Sequence, residues 1–106
     1  MNNVQVWDEA GFRAAVSAGN LVLADFFSEW CGPCKRQAKL LDEVTAEIPE
    51  TVAVGKIDIT TSPSAAAEYR ITTTPTLMLF RNGAVLETCT GLCSREKLLA
   101  MLKKHL

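Results

Sequence analysis

Leu21-Val22-Leu23-Ala24-Asp25-Phe26-Phe27 runs directly into Ser28-Glu29-Trp30-Cys31-Gly32-Pro33-Cys34, and the junction of these two segments decides how the chain is organised. The first segment is apolar at nearly every position without alternating, the pattern of a strand covered on both faces. The second carries Pro33, which suits the first turn of a helix because an N–H there has no intrahelical partner to lose. Cys34, Ala38, Leu41, Thr45 and Ile48 then fall along one side of that helix, and Pro49 ends it. A buried strand feeding a helix predicts a parallel sheet with crossover connections.

The flanking sequence extends this pattern in both directions. Upstream, Val4 to Val6 reads as a short strand, and Asp8 caps a helix with Phe12, Ala15 and Val16 on one face before Gly19-Asn20 stops it. Downstream, Val52 to Ile59 is a β-rich run, and Ser62-Pro63 offers a cap and first turn to the helical stretch Ala65 to Arg70. Thr76 to Phe80 and Ala84 to Thr88 flank Arg81-Asn82-Gly83, where Asn-Gly is a strong hairpin signal. Ser94 caps a last helix with Leu98, Met101 and Leu102 inward, and His105 near its end is placed to favour the helix dipole. The order βαβαβαββα predicts an α/β fold, a mixed central sheet with helices on both faces.

The 106 residues fit one domain, 1–106. With 48% hydrophobic and 22% charged residues, the chain has the profile of a folding protein, not a disordered one. A chain this long buries roughly 65% of its unfolded surface and needs no disulfide or metal to hold a core. Its four cysteines therefore call for another explanation. A net charge of -1 without long single-sign runs argues against nucleic acid and anionic membrane as partners. The longest apolar run, Leu21 to Phe27, is far below the roughly 18 residues of a membrane span. The opening Met1 to Asp8 has no signal-peptide pattern, and the expected location is cytoplasmic.

Two cysteines spaced Cys-x-x-Cys where a strand meets a helix form a redox arrangement with a physical cause. The helix N-terminus presents unpaired N–H groups and the positive end of the dipole to Cys31, which in such motifs lowers a thiol pKa from about 8.5 to about 7. At neutral pH the thiolate fraction then rises from roughly 3% to about half. An attacking thiol works best with a pKa near ambient pH, so Cys31 is the expected nucleophile. Cys34, one turn on and sharing a face with Ala38 and Leu41, is the expected resolving thiol.

Trp30-Cys31-Gly32-Pro33-Cys34 in this context resembles the thioredoxin family, and the likeness spans nearly the whole chain. Beyond the motif, the family's buried acid matches Asp25, its partner lysine Lys56, its cis-proline Pro75 and its glycine after the last strand Gly91. Asp25 lies in an apolar strand, where desolvation raises a carboxyl pKa, and is the candidate base for Cys34. Lys56 is expected to pair with it across neighbouring strands and moderate that rise. The resemblance implies a cis bond before Pro75 beside the sulfurs, leaving the Thr74 backbone free to pair with an extended substrate segment. Trp30, Gly32, Pro33, Ile59, Gly91 and Leu92 are expected to frame that contact as an exposed, weakly polar patch. It also implies a monomeric protein-disulfide reductase without a bound cofactor. Its Cys31–Cys34 disulfide would be re-reduced by a flavin-containing thioredoxin reductase drawing on NADPH, and its partners would be disulfide-containing target proteins.

Other outcomes follow from particular residues. Cys-x-x-Cys also opens many zinc sites, with Cys89 and Cys93 available as further ligands of a zinc-held interaction module. As free thiols, Cys89 and Cys93 are expected to pack as small apolar groups, with a second disulfide around Gly91 as an alternative. A non-catalytic binding subunit using the Thr74-Pro75 groove is a further alternative. Three positions depart from the family pattern: Phe27 stands where many relatives have Trp, Lys39 replaces a helix-kinking proline, and Thr74 precedes Pro75 as in oxidising and isomerising branches. Thr74 thus raises a disulfide oxidant or isomerase as the alternative enzyme, while Gly32-Pro33 favours the reductant.

Overall fold

In the computed structural model, which describes residues Met1–Leu106, nine elements follow the expected order. They are β1 (Gln5–Trp7), α1 (Glu9–Ser17), β2 (Val22–Phe27), α2 (Gly32–Thr45), β3 (Ala53–Asp58), α3 (Pro63–Glu68), β4 (Thr76–Arg81), β5 (Ala84–Thr90) and α4 (Arg95–Lys103). The sheet order is β1-β3-β2-β4-β5. β1, β3 and β2 run parallel, and β4 and β5 run antiparallel to their neighbours. β2 lies in the middle, as its unbroken apolar run requires.

Alternation along the strands divides the interior into two layers. Leu23, Val54, Leu77, Leu79 and Cys89 face Leu41 and Val44 of α2 and Leu98, Met101 and Leu102 of α4. Val22, Ala24, Phe26, Ile57, Met78 and Phe80 face Phe12 and Val16 of α1 and Ala65 of α3. In that second layer Phe12 meets Phe26, Tyr69 and Phe80 edge-on at centroid distances of 5.6 to 5.8 Å. By the same parity, Asp25 and Lys56 belong to the face covered by α2 and α4.

The local signals act largely as expected. Asp8 accepts the Gly11 amide at 2.7 Å and Ser94 accepts the Lys97 amide at 3.2 Å, each closing a helix start. Asn82 and Gly83, at φ 53° and 80°, make the two-residue hairpin turn that needs positive φ at both positions. α2 runs through Lys39 without a break, since no proline interrupts its hydrogen bonds there.

Three expectations need correction. β1 is displaced by a residue: Trp7 is its buried member, while Val6 points out at the sheet edge with 73% exposure. Ser62 makes no side-chain cap; it is buried, and its amide bonds to the Asp58 carbonyl at 2.9 Å, so the preceding turn organises the start of α3. His105 lies beyond α4 and its ring nitrogen sits 2.9 Å from Glu87 of β5, a side-chain contact and not a dipole interaction.

Candidate active site

The register between strands gathers the site at one end of the sheet. Phe27 at the end of β2 lies opposite Asp58 at the end of β3, and Phe26 lies opposite Thr76 at the start of β4, which pairs with Thr90 at the end of β5. The segments leaving these ends carry Cys31, Ile59, Pro75 and Gly91 to the same rim. Parallel strands characteristically present their sites at their carboxyl ends.

Cys31 is the N-cap of α2, in extended conformation, and its sulfur accepts the Cys34 amide at 3.1 Å. It is bonded to Cys34 across a Cα–Cα distance of 5.2 Å, well within disulfide range. The two sulfurs differ in access: Cys31 is partly exposed, and Cys34 is 3% exposed on the inward side of α2. The Cys31 sulfur also lies 3.4 Å from the Thr74 carbonyl oxygen, and the Thr74–Pro75 bond is cis. The Pro75 carbonyl accepts the Gly91 amide at 2.8 Å, and Gly91 turns the chain with φ +82°, a conformation glycine adopts without steric cost. Trp30 at 90% and Leu92 at 48% exposure stand on this rim with exposed Gly32 and Pro33, while Ile59 is half-buried.

Asp25 is fully buried, and neither carboxylate oxygen has a hydrogen-bond partner in the chain. Desolvation pushes its pKa up to about 7, against a smaller downward pull from Lys56. Lys56 lies directly opposite Asp25 in the β2–β3 register, but the expected close ion pair is absent. Its ammonium sits 5.5 Å over the ring of Phe27, where cation–π attraction holds it while its charge still acts on the carboxylate at a distance. A cleft of about 240 Å³ opens beside this group, lined by Phe27, Ser28, Glu29, Cys34, Lys35, Ala38 and Lys56. It reaches the otherwise sheltered Cys34 from the side.

Cys89 and Cys93 are free and buried between the sheet and α4. Burial, then a hydrogen bond to Cys89, pushes the Cys93 thiol up to about 12. No three His, Cys, Asp or Glu side chains converge as metal ligands.

The sequence and the fold that carry this site are similar to those of known proteins. The model of the thioredoxin family matches residues 3–104. The chain belongs to the thioredoxin family. It is 41% identical to a thioredoxin of Chlamydia trachomatis over 102 residues, covering 96% of this chain and 98% of that one. With a thioredoxin of Bacillus subtilis the identity is 38%, over 92% of this chain and 93% of the other. Among solved structures, the thioredoxin of Malassezia sympodialis superposes with a TM-score of 0.88 at 29% identity, over 99% of this chain and 92% of that one. That of Plasmodium falciparum gives 0.87 at 30%, over 97% and 100%. The fold is thus the thioredoxin fold, and the chain is a thioredoxin-like protein-disulfide reductase working by thiol–disulfide exchange. The family carries no cofactor of its own and acts on disulfide-containing targets in company with a reductase.

One residue of this region is absent from the sequence-based expectations. Gln37 on α2 is fully buried, and its side-chain amide bonds both the N–H and the carbonyl of Cys93, at 2.7 and 3.2 Å. Its spacing, three after Cys34 and four before Leu41, marks an inward position, but a polar side chain obscures that signal.

Proposed function

We propose that Cys31 is the attacking sulfur and Cys34 the resolving one in the reduction of protein disulfides. The observation that carries this assignment is the Cys34 amide held against the Cys31 sulfur at the start of α2, which on reduction stabilises a thiolate. The Cys31 thiolate attacks one sulfur of a target disulfide, forming a mixed disulfide and releasing the other target sulfur as a thiolate. Cys34 gives up its proton and attacks the Cys31 sulfur, so that the Cys31–Cys34 bond forms and the second target sulfur leaves.

Asp25 takes the Cys34 proton. A carboxyl with pKa about 7 is half ionised at neutral pH and both accepts and returns a proton there. It makes no direct bond to sulfur, so transfer runs through water; the cleft lined by Cys34 and Lys56 admits water to the thiol, and Asp25 itself is not among its lining residues. Lys56 keeps the Asp25 pKa from rising further. Trp30, Gly32, Pro33, Ile59, Thr74, Pro75, Gly91 and Leu92 form the substrate groove, with the Thr74 backbone pairing to an extended target segment.

Residues 1–106 act as a single domain and a monomer. The large exposed apolar side chains away from the groove are dispersed, Val6 on one edge strand and Val85 on the other. A flavin-containing thioredoxin reductase returns electrons from NADPH to the Cys31–Cys34 disulfide. A reductant of this kind belongs in a reducing compartment, which places it in the cytoplasm. No helix is long and apolar enough to cross a membrane.

Equilibration with glutathione, followed by insulin reduction in the presence of NADPH and a flavin reductase, tests this function. The expected midpoint lies near the reducing end, about -270 mV. A value near -120 mV would make the chain an oxidant, the outcome to which Thr74 points.

A further inference from the structure

The loop between β5 and α4 carries Gly91 and Leu92 and has no strand partner of its own. It is nevertheless held at both ends. At one end the Gly91 amide bonds the Pro75 carbonyl. At the other, the buried amide of Gln37 grips both backbone groups of Cys93. The next inward positions of α2, Leu41 and Val44, are apolar, and buried Thr45 satisfies its hydroxyl within the helix by donating to the Leu41 carbonyl, so Gln37 is the buried polar side chain of that face whose partner lies outside the helix. A polar side chain survives such burial only if its donors and acceptors are met, and Gln37 has both kinds met by Cys93, the buried residue that follows Leu92 of the substrate rim. The helix that carries the reacting sulfurs thereby also fixes where Leu92 stands.

We propose that Gln37 is a positioning residue for protein substrates: its two-bond clamp on Cys93 holds Gly91 and Leu92 in register with Cys31 and the Thr74–Pro75 segment. The proposal rests on the groove assignment of Gly91 and Leu92 made above. A released loop must be ordered again at every encounter with a folded target, which weakens binding. The sulfurs, their helix cap and Asp25 are untouched, so bond exchange itself keeps its rate. A small disulfide that meets only Cys31 is indifferent to the loop.

Gln37→Met retains length and apolar bulk while removing both hydrogen bonds. Reduction of insulin and of the small aromatic disulfide 5,5′-dithiobis(2-nitrobenzoate) by this variant separates recognition from chemistry. The expected result is an insulin KM raised about tenfold, with kcat and the small-disulfide rate within about twofold of the wild type. An unchanged insulin KM, or an equal loss on both substrates, overturns the proposal and leaves Gln37 a packing residue. Leu92→Ser distinguishes the layers of the argument. If it raises the insulin KM while Gln37→Met does not, the clamp is wrong and the groove stands; if it has no effect, groove and clamp fall together. The wild-type chain gives a test that depends on no variant. The Cys93 amide should exchange hydrogen only through global opening, and exchange at the rate of a free loop overturns the clamp.

Discussion

Cys31 and Cys34 differ from Cys89 and Cys93 in nothing but surroundings. The first pair meets at a helix start, with one sulfur open to solvent and accepting a backbone amide. The second pair lies between the sheet and α4, at 3% and 0% exposure, and burial holds the Cys93 proton up to about pH 12. Reactivity follows from unpaired N–H groups and access to water, and the number of cysteines says nothing about it. The lesson extends to Asp25, whose unusual proton affinity comes from the apolar side chains around it and not from a neighbouring acid.

The contrast is most exposed in alkylation of the reduced protein at pH 7. Ionisation alone should make Cys31 faster than Cys93 by about a thousandfold or more, because the helix start favours the Cys31 thiolate while burial keeps the Cys93 thiol protonated. Mass-resolved labelling with iodoacetamide measures it, and comparable rates at the two sites would dissolve the distinction. Within the first pair, Cys31→Ser should lower insulin reduction by about a thousandfold or more, since a hydroxyl does not replace a thiolate nucleophile. Cys34→Ser should instead accumulate mixed disulfides visible on non-reducing gels. Equal trapping by both variants would remove the division of roles.

Asp25 sharpens the comparison through stability. The folded carboxyl keeps its proton to about pH 7 while the unfolded one loses it near 3.8, so the native state binds more protons between these values and stability falls as pH rises. Relative to Asp25→Asn, the oxidised wild type should lose about 2.5 kcal/mol between pH 5 and pH 8, measured by urea unfolding. A pH-independent difference would mean that the acid is solvated in the native state. The smallest effect belongs to the inert pair: Cys89→Ala should cost about 1 kcal/mol of stability and leave insulin reduction within about twofold. A larger loss of activity would give that pair a role in the chemistry.

Much of this was legible in the chain. β2 was readable because a strand covered on both faces has no reason to alternate, and the hairpin because Asn82-Gly83 supplies the positive φ its turn needs. The sulfur site was readable because Pro33 marks where the helix starts. The rest depends on contacts between distant segments. Lys56 was expected to reach Asp25, and register does place them opposite, but a flexible side chain chose the Phe27 ring. Ser62 has the side chain of a cap, yet its backbone, at φ -128° and ψ 61°, lies outside the extended conformation from which a capping hydroxyl accepts the amides of the first turn. Gln37 was invisible because its partner is a backbone brought to it by the whole fold, 56 residues away. Sequence patterns report which face a residue occupies; they do not report which polar group will be waiting there.

The edge-on rings around Phe12 lie on the side of the sheet away from the sulfurs. Since none of them enters the exchange reaction, their cohesion can be kept intact whatever is altered around the redox pair. A lineage adapting to new targets, or an engineer shifting the potential, therefore has half a molecule to vary against an invariant backing.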